Sequence, residues 1–173
     1  AVSALQQTWK ERLPQLQDNF DVVEPMMALR SVLLRLNGDP NVLANYLQSF
    51  AHFARESNRS SVGLSALRHA APLIPGLGVG TAVNSLTLSL ETAKLAWARG
   101  DVDRAVRGAN LVIRGVRDYV VKLGGDFNAT APGLIELNVD SFCCASDWMS
   151  SSRSEGTTKI EEHLQEALIA AAH

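Results

Sequence analysis

Apolar and polar residues alternate along this chain with the period of an α-helix, about 3.6 residues. Prolines, glycines and short polar clusters interrupt the pattern at intervals. The clearest case follows Asp101. On a wheel of about 100° per residue, Val102, Ala105, Val106, Ala109, Val112, Ile113, Val116 and Val120 share one face. Arg104, Arg107, Arg114 and Arg117 fall on the opposite side. This spacing predicts a strongly amphipathic helix with one dry face and one basic face. Gly100 ends the helix before it, and Asp101 is placed to cap the new one by accepting from the N–H of Asp103 or Arg104. Gly108 and Gly115 lie on the flank of the same helix, and each costs about 1 kcal/mol of helix propensity against alanine. A closely approaching neighbouring helix would account for them.

The same period predicts further helices on either side. A first one covers roughly Val2 to Leu13 and is stopped by Pro14. In "NFDVVEPMMALRSVLLRLNGDP", Pro25 suits the first turn of a second helix, where its missing N–H would be unpaired anyway. Met26, Met27, Leu29, Val32, Leu33, Leu34 and Leu36 cover most of its circumference, which predicts burial on more than one side. Asn37-Gly38 is a C-terminal stop. Asp39 caps a third helix with Pro40 at its first position, and Leu43, Tyr46, Leu47, Phe50, Ala51 and Ala54 follow on one face. A short helix is expected over Val62 to Ala71, ending before Pro72. Two helices flank Gly100, another runs roughly from Leu134 to Met149, and Thr158-x-x-Glu161 is a capping box. That box opens a last helix with Ile160, Leu164, Ala167, Leu168 and Ala171 as its apolar face. Linkers are expected near 55–62, 72–82, 124–133 and 150–157. No segment has the period of a strand, so the expected class is all-α, one helical-repeat segment over residues 1–173.

Composition changes this picture little. The chain is 46% hydrophobic and 20% charged, which is globular and not disordered. Aromatics make up 6% of it, so the helices are expected to meet through small and aliphatic side chains. A formal net charge of −2 points to neither nucleic acid nor a membrane surface. No apolar run is long enough to span a bilayer. "AVSALQQTWKER" lacks the pattern of a signal peptide, and the chain is expected to be a piece of something longer. Cys143 and Cys144 are adjacent, without zinc-ligand or disulfide-framework spacing. They are expected to be reduced packing residues of an intracellular protein, about 100° apart on their helix.

Catalytic chemistry is hard to find. Asp126-Phe127-Asn128 is not a DFG metal-binding turn, and no catalytic-loop Asp–Asn pair accompanies it. Gly76, Gly78 and Gly80 match neither a dinucleotide-binding nor a Walker A loop, and no strand precedes them, so a connector is expected there. His52, His69, His163 and His173 are scattered without metal-like pairing. Glu161, Glu162 and Glu166 suit a solvated helix face, and Ser150, Ser151, Ser152 and Ser154 a linker. The triplets starting at Asn58 and Asn128 are read as chance matches to the glycosylation pattern. No catalytic, cofactor-binding or metal-binding residue is therefore assigned. The stripe of Arg104, Arg107, Arg114 and Arg117 is the one suggestive surface. It is either a solvated face balanced by Asp103 and Asp118 or a contact for an acidic partner.

The corner at Gly100, followed by small Ala105 and Ala109, resembles the turn of a tetratricopeptide-type hairpin. One hairpin cannot bury both of its faces, and stacked hairpins can. The expected architecture is thus an α-solenoid of antiparallel helical hairpins, tetratricopeptide- or HEAT-like. "FDVVEPMMALRSVLLRL" resembles a segment of the ataxia-telangiectasia-mutated (ATM) protein kinases through Phe20, Glu24, Pro25, Met27, Ala28, Leu29 and Arg30. "LSLETAKLAWARGDVDRAVRGANLVI" is similar to that family's helical pair through Glu91, Ala93, Trp97 and Ala98. Cys143, Trp148, Ala167 and Ala171 fit the next pair.

This resemblance implies the FAT region, a solenoid that wraps the kinase domain of phosphatidylinositol 3-kinase-related kinases and carries dimer contacts. By the same resemblance the parent would be a nuclear serine/threonine kinase signalling DNA breaks. ATP and a divalent metal would be confined to its kinase domain. Implied partners are the rest of the polypeptide, a second copy and regulatory proteins, without direct nucleic-acid or membrane contact. The alternative is a free-standing tetratricopeptide-like adaptor that binds a peptide or helix.

Overall fold

The computed structural model describes residues 20–36, 38–74, 79–122 and 132–152, together with Gln165. Among these, the elements are α1 (Phe20–Leu36), α2 (Pro40–Glu56), α3 (Ser60–Ala70) with a 3-10 turn at Ala71–Leu73, α4 (Val79–Ala98), α5 (Val102–Lys122) and α6 (Pro132–Ser152). The class is all-α, as the periodicity predicts, with no strand among the described residues. The helices expected over Val2–Leu13 and after Thr158 lie outside the described residues, as do Gly76, Gly78 and Asp126-Phe127-Asn128. The chain gathers into two compact units, Ala1–Leu73 and Ile74–His173.

In the first unit, α2 follows its sequence signals closely. The Asp39 carboxylate accepts from the N–H of Asn41 (3.0 Å) and Val42 (3.2 Å), which satisfies two of the four orphan donors of the helix start. Leu43, Leu47, Phe50, Ala51 and Ala54 are buried on one face, and Tyr46 is half-buried beside them. The helix ends in a Schellman motif. Asn58 adopts φ 59°, and the N–H of Arg59 reaches the carbonyl of Ala54 at 2.7 Å. Asparagine fills the left-handed position that glycine fills elsewhere, which gives Asn58 a structural task.

Two expectations for α1 are corrected. Pro25 lies inside the helix rather than in its first turn, because α1 begins at Phe20. The Phe20 ring stacks on Phe50 (centroids 6.3 Å apart) and on Phe53 (5.6 Å), and Val23 is fully buried. Burying these two side chains favours helix upstream of the proline, where the missing N–H forfeits one bond near the helix end. The second correction concerns coverage. Phe20, Val23, Met27 and Leu34 are buried along one side, whereas Val22, Met26, Leu29, Val32, Leu33 and Leu36 are exposed. The helix expected to be covered on more than one side is covered on one. Its dry side is held by the Tyr46 hydroxyl donating to the Met27 carbonyl at 3.0 Å and by the Arg30 guanidinium over the Tyr46 ring. Burial raises the Tyr46 phenol well above its ordinary range against the opposing charge of Arg30, so it stays a donor.

In the second unit, α4 and α5 form a tight antiparallel hairpin, with α6 laid against both. The corner is another Schellman motif. Gly100 has φ +78°, its N–H meets the carbonyl of Trp97 at 2.8 Å, and the N–H of Asp101 meets that of Ala96 at 3.0 Å. Asp101 then caps α5 by accepting from the N–H of Arg104 at 3.3 Å. Ala105, Ala109, Val112, Ile113, Val116 and Val120 are all buried, which is the predicted dry face. One end of this face meets Ala93, Ala96, Phe142, Ala145, Trp148 and Met149, and the other meets Leu90, Leu134 and Leu137. Trp97 and Trp148 stack with centroids 5.5 Å apart. Gly80, expected in a connector, falls within α4, and α6 runs two residues earlier and three later than its apolar pattern suggests.

Candidate protein-contact site

The α4–α5 hairpin presents the surface that sequence reasoning singled out. Its geometry starts from two glycines. A Cβ placed on Gly108 would lie 2.7 Å from the Cβ of Ala93, and one on Gly115 would lie 2.6 Å from Leu86 Cδ2. The backbones therefore approach closely at Gly108, whereas at Gly115 the space is taken by the end of the Leu86 side chain. Above the Ala93–Gly108 contact the hairpin opens into a groove of about 380 Å³. Leu88, Ser89 and Thr92 of α4 form one wall, and Arg104, Arg107 and Leu111 of α5 form the other. Ser89 and Thr92 donate their hydroxyls to the carbonyls of Ser85 and Leu88, at 2.9 and 2.8 Å.

The four arginines do not act as one stripe. Arg104 and Arg107 share the groove wall, and neither guanidinium has an ion pair or hydrogen bond among the described residues. Arg114 continues the same row beyond the groove lining and is exposed. Arg117 turns toward α6, with its guanidinium 5.7 Å from the centroid of the Phe142 ring. The wheel explains the split: with Val102 at 0°, Arg104, Arg107 and Arg114 fall at about 200°, 140° and 120°, whereas Arg117 falls at about 60°, beside Val106 at the edge of the dry face rather than opposite it.

On the other side of α4 the structure assembles a polar cluster that the sequence did not reveal. Lys94 Nζ lies 2.6 Å from Asp140 Oδ2 on α6 and 3.7 Å from Glu91 Oε1. Burial pulls the pKa of the Lys94 ammonium downward, but the hydrogen bond it donates to Asp140 and the charges of Glu91 and Asp140 outweigh it, and the net direction is upward. The Cys144 thiol donates to Asp140 Oδ1 at 3.5 Å, and burial together with the Asp140 charge pushes its pKa up to about 12. Cys143, next to it, is exposed. Cys144 is thus a protonated thiol at neutral pH and a poor nucleophile. The cluster ties α4 to α6 and presents no nucleophile–base pair. Among the described residues, no group of three or more His, Cys, Asp or Glu could hold a metal ion.

The groove offers Leu88, Leu111, Arg104 and Arg107 as contacts for side chains. Comparison with known proteins agrees with a scaffold. The family model of the FAT domain matches residues 2–129, a span that includes α1 to α5 and the whole groove. That match fits the FAT region of the phosphatidylinositol 3-kinase-related kinases, a helical, solenoid-like fold. No curated protein and no solved structure matches the chain. The corner at Gly100, the close-set hairpin and the span of the match together place this chain in the FAT domain family.

Proposed function

We propose that the chain is a non-catalytic scaffold segment of an ATM-like serine/threonine protein kinase that acts in DNA-damage signalling. The FAT-domain match carries this reading. The run Glu24-Pro25-Met26-Met27-Ala28-Leu29-Arg30 inclines it toward the ataxia-telangiectasia-mutated branch. In this role the segment supports or clamps the kinase domain of its own polypeptide and carries contacts to a second copy and to regulatory proteins in the nucleus. ATP and its divalent metal belong to the kinase domain. Membranes and direct nucleic-acid contacts take no part.

The mechanism is mechanical. Close-packed hairpins such as α4–α5 resist bending, because Ala105 and Ala109 are fully buried in the cluster around Phe142 and Trp148. A partner that changes their packing shifts the population of kinase states only through its differential affinity for them.

The gene offers the first test. Reading outward from this segment is expected to reach a kinase domain with a DFG turn and a catalytic-loop Asp–Asn set. A start and a stop codon closely enclosing the segment would replace the proposal with a free-standing adaptor, which the α4–α5 groove also suits. The mechanical step is tested by Ala109→Trp in the full kinase, where overpacking displaces α5 from α6. Basal or stimulated activity is expected to change. Unaltered activity in a protein whose hydrogen exchange shows the helices displaced would remove the mechanical step and leave the scaffold role.

A further inference from the structure

We infer that the α4–α5 groove is a docking site for an acidic amphipathic helix of another protein. The inference does not depend on the kinase reading. Three observations carry it. The groove is open between two antiparallel helices, with Ala93 and Gly108 in its lining and a volume of about 380 Å³. That shape receives the side-chain ridge of a third helix. An extended peptide would gain no backbone hydrogen bonds here, since those of α4 and α5 are made within each helix.

Second, the walls combine apolar surface with unpaired positive charge. Leu111 is 64% exposed on one wall, and Leu88 lies on the other. Arg104 and Arg107 stand one turn apart without partners among the described residues. The α4 wall contributes Leu88, Ser89 and Thr92 and no charge of either sign. A guest that covers the leucines must bring carboxylates to the arginines.

Third, Arg104, Arg107, Leu111 and Arg114 repeat at i, i+3, i+7 and i+10 along α5. They form a straight row about 15 Å long. A guest helix with leucines on one stripe and glutamates on the adjoining flank matches this row along its whole length. Nucleic acid matches it poorly, because phosphates gain nothing from Leu88 and Leu111.

The test uses the full chain and a fluorescein-labelled synthetic helix of about four turns, with leucines on one stripe and glutamates on its flank. The control peptide carries lysines in place of the glutamates. Fluorescence anisotropy is expected to show micromolar binding of the glutamate peptide, weakened by added salt. R104E/R107E is expected to lower the affinity by at least about tenfold, the effect of losing charge-assisted hydrogen bonds. The lysine peptide should not bind. Thermal melts confirm that the variant folds, and R104Q/R107Q replaces it if its transition is lost. The proposal is overturned by equal affinity for wild type and either double variant, by equal binding of the two peptides, or by failure of the glutamate peptide to bind. Displacement of the peptide by single-stranded DNA would reassign the groove to nucleic acid. A dimer that R104E/R107E dissociates would reassign it to a second copy.

Discussion

Helices α1 and α5 carry similar numbers of aliphatic residues but arrange them differently. In α5 most of them lie on one face, where Ala105, Ala109, Val112, Ile113, Val116 and Val120 are buried, and only Leu111 and Val121 among the large ones face water. In α1 they spread around the helix, so four residues are buried and six large ones face water. The amphipathic pattern of α5 specifies one partner surface, and the second unit supplies it with α4 and α6. The pattern of α1 asks for two surfaces, and α2 supplies one. Segregation of apolar residues therefore shows how completely a helix can be satisfied by its sequence neighbours. An apolar residue count does not.

The largest expected effect tests the covered face of α5. Phe142 is 2% exposed and fills the space opposite Ala105 and Ala109. Phe142→Ala is expected to destabilise the second unit by about 3–5 kcal/mol, read by urea denaturation. A cost under about 1 kcal/mol would mean that α5 does not rest on α6 in solution.

The two glycines of α5 sharpen the same point, because the sign of their effects should differ. Gly108→Ala sets a Cβ against the rigid Ala93 Cβ at 2.7 Å. The hairpin must then open, at a net cost of about 1–2 kcal/mol after the gain in helix propensity. Gly115→Ala meets the far end of the Leu86 side chain, which has room to change rotamer. Its helix-propensity gain of about 1 kcal/mol should leave it neutral or slightly stabilising. Thermal melts of the pair decide this, and equal destabilisation would refute the difference in packing.

A smaller change probes the start of α2 in the first unit. Asp39→Ala removes both capping hydrogen bonds. It is expected to cost about 1 kcal/mol, with Asp39→Asn recovering most of it. A loss confined to the charge, with Asn no better than Ala, would assign the effect to the helix dipole instead.

These elements also show what was legible in advance. The Asp39 and Asp101 caps, the Gly100 corner and the dry face of α5 were readable because each depends on residues within a turn or two. Arg104 and Arg107 were readable as one surface for the same reason, and the wheel also sets Arg117 about 80° away from Arg107. What no local period shows is its neighbour, the Phe142 ring on another helix. The Lys94–Asp140 pair joins residues 46 apart, and no local period encodes that separation. Pro25 misled because its local preference for a first turn lost to the stacking of Phe20 on Phe50 and Phe53. Long-range packing chose among locally acceptable helix starts, and one sequence without its partners does not display that choice.

The uncovered face of α1 yields the smallest expected effect and the most direct break of the comparison. Leu29 is 63% and Leu33 52% exposed, so more than half of each residue stays in water when the unit folds. Glutamine has a helix propensity close to that of leucine, so Leu29→Gln and Leu33→Gln are expected to shift stability by no more than about 0.5 kcal/mol each. Both should reduce concentration-dependent light scattering, because together they shorten the exposed apolar stripe running from Val22 to Leu36. If this face were covered in the folded chain, each leucine would contribute about 1.5–3 kcal/mol of buried surface, and each substitution would cost that much in a urea melt. Such a cost, with scattering unchanged, would show that α1 is as fully enclosed as α5. The contrast between the two helices would then disappear.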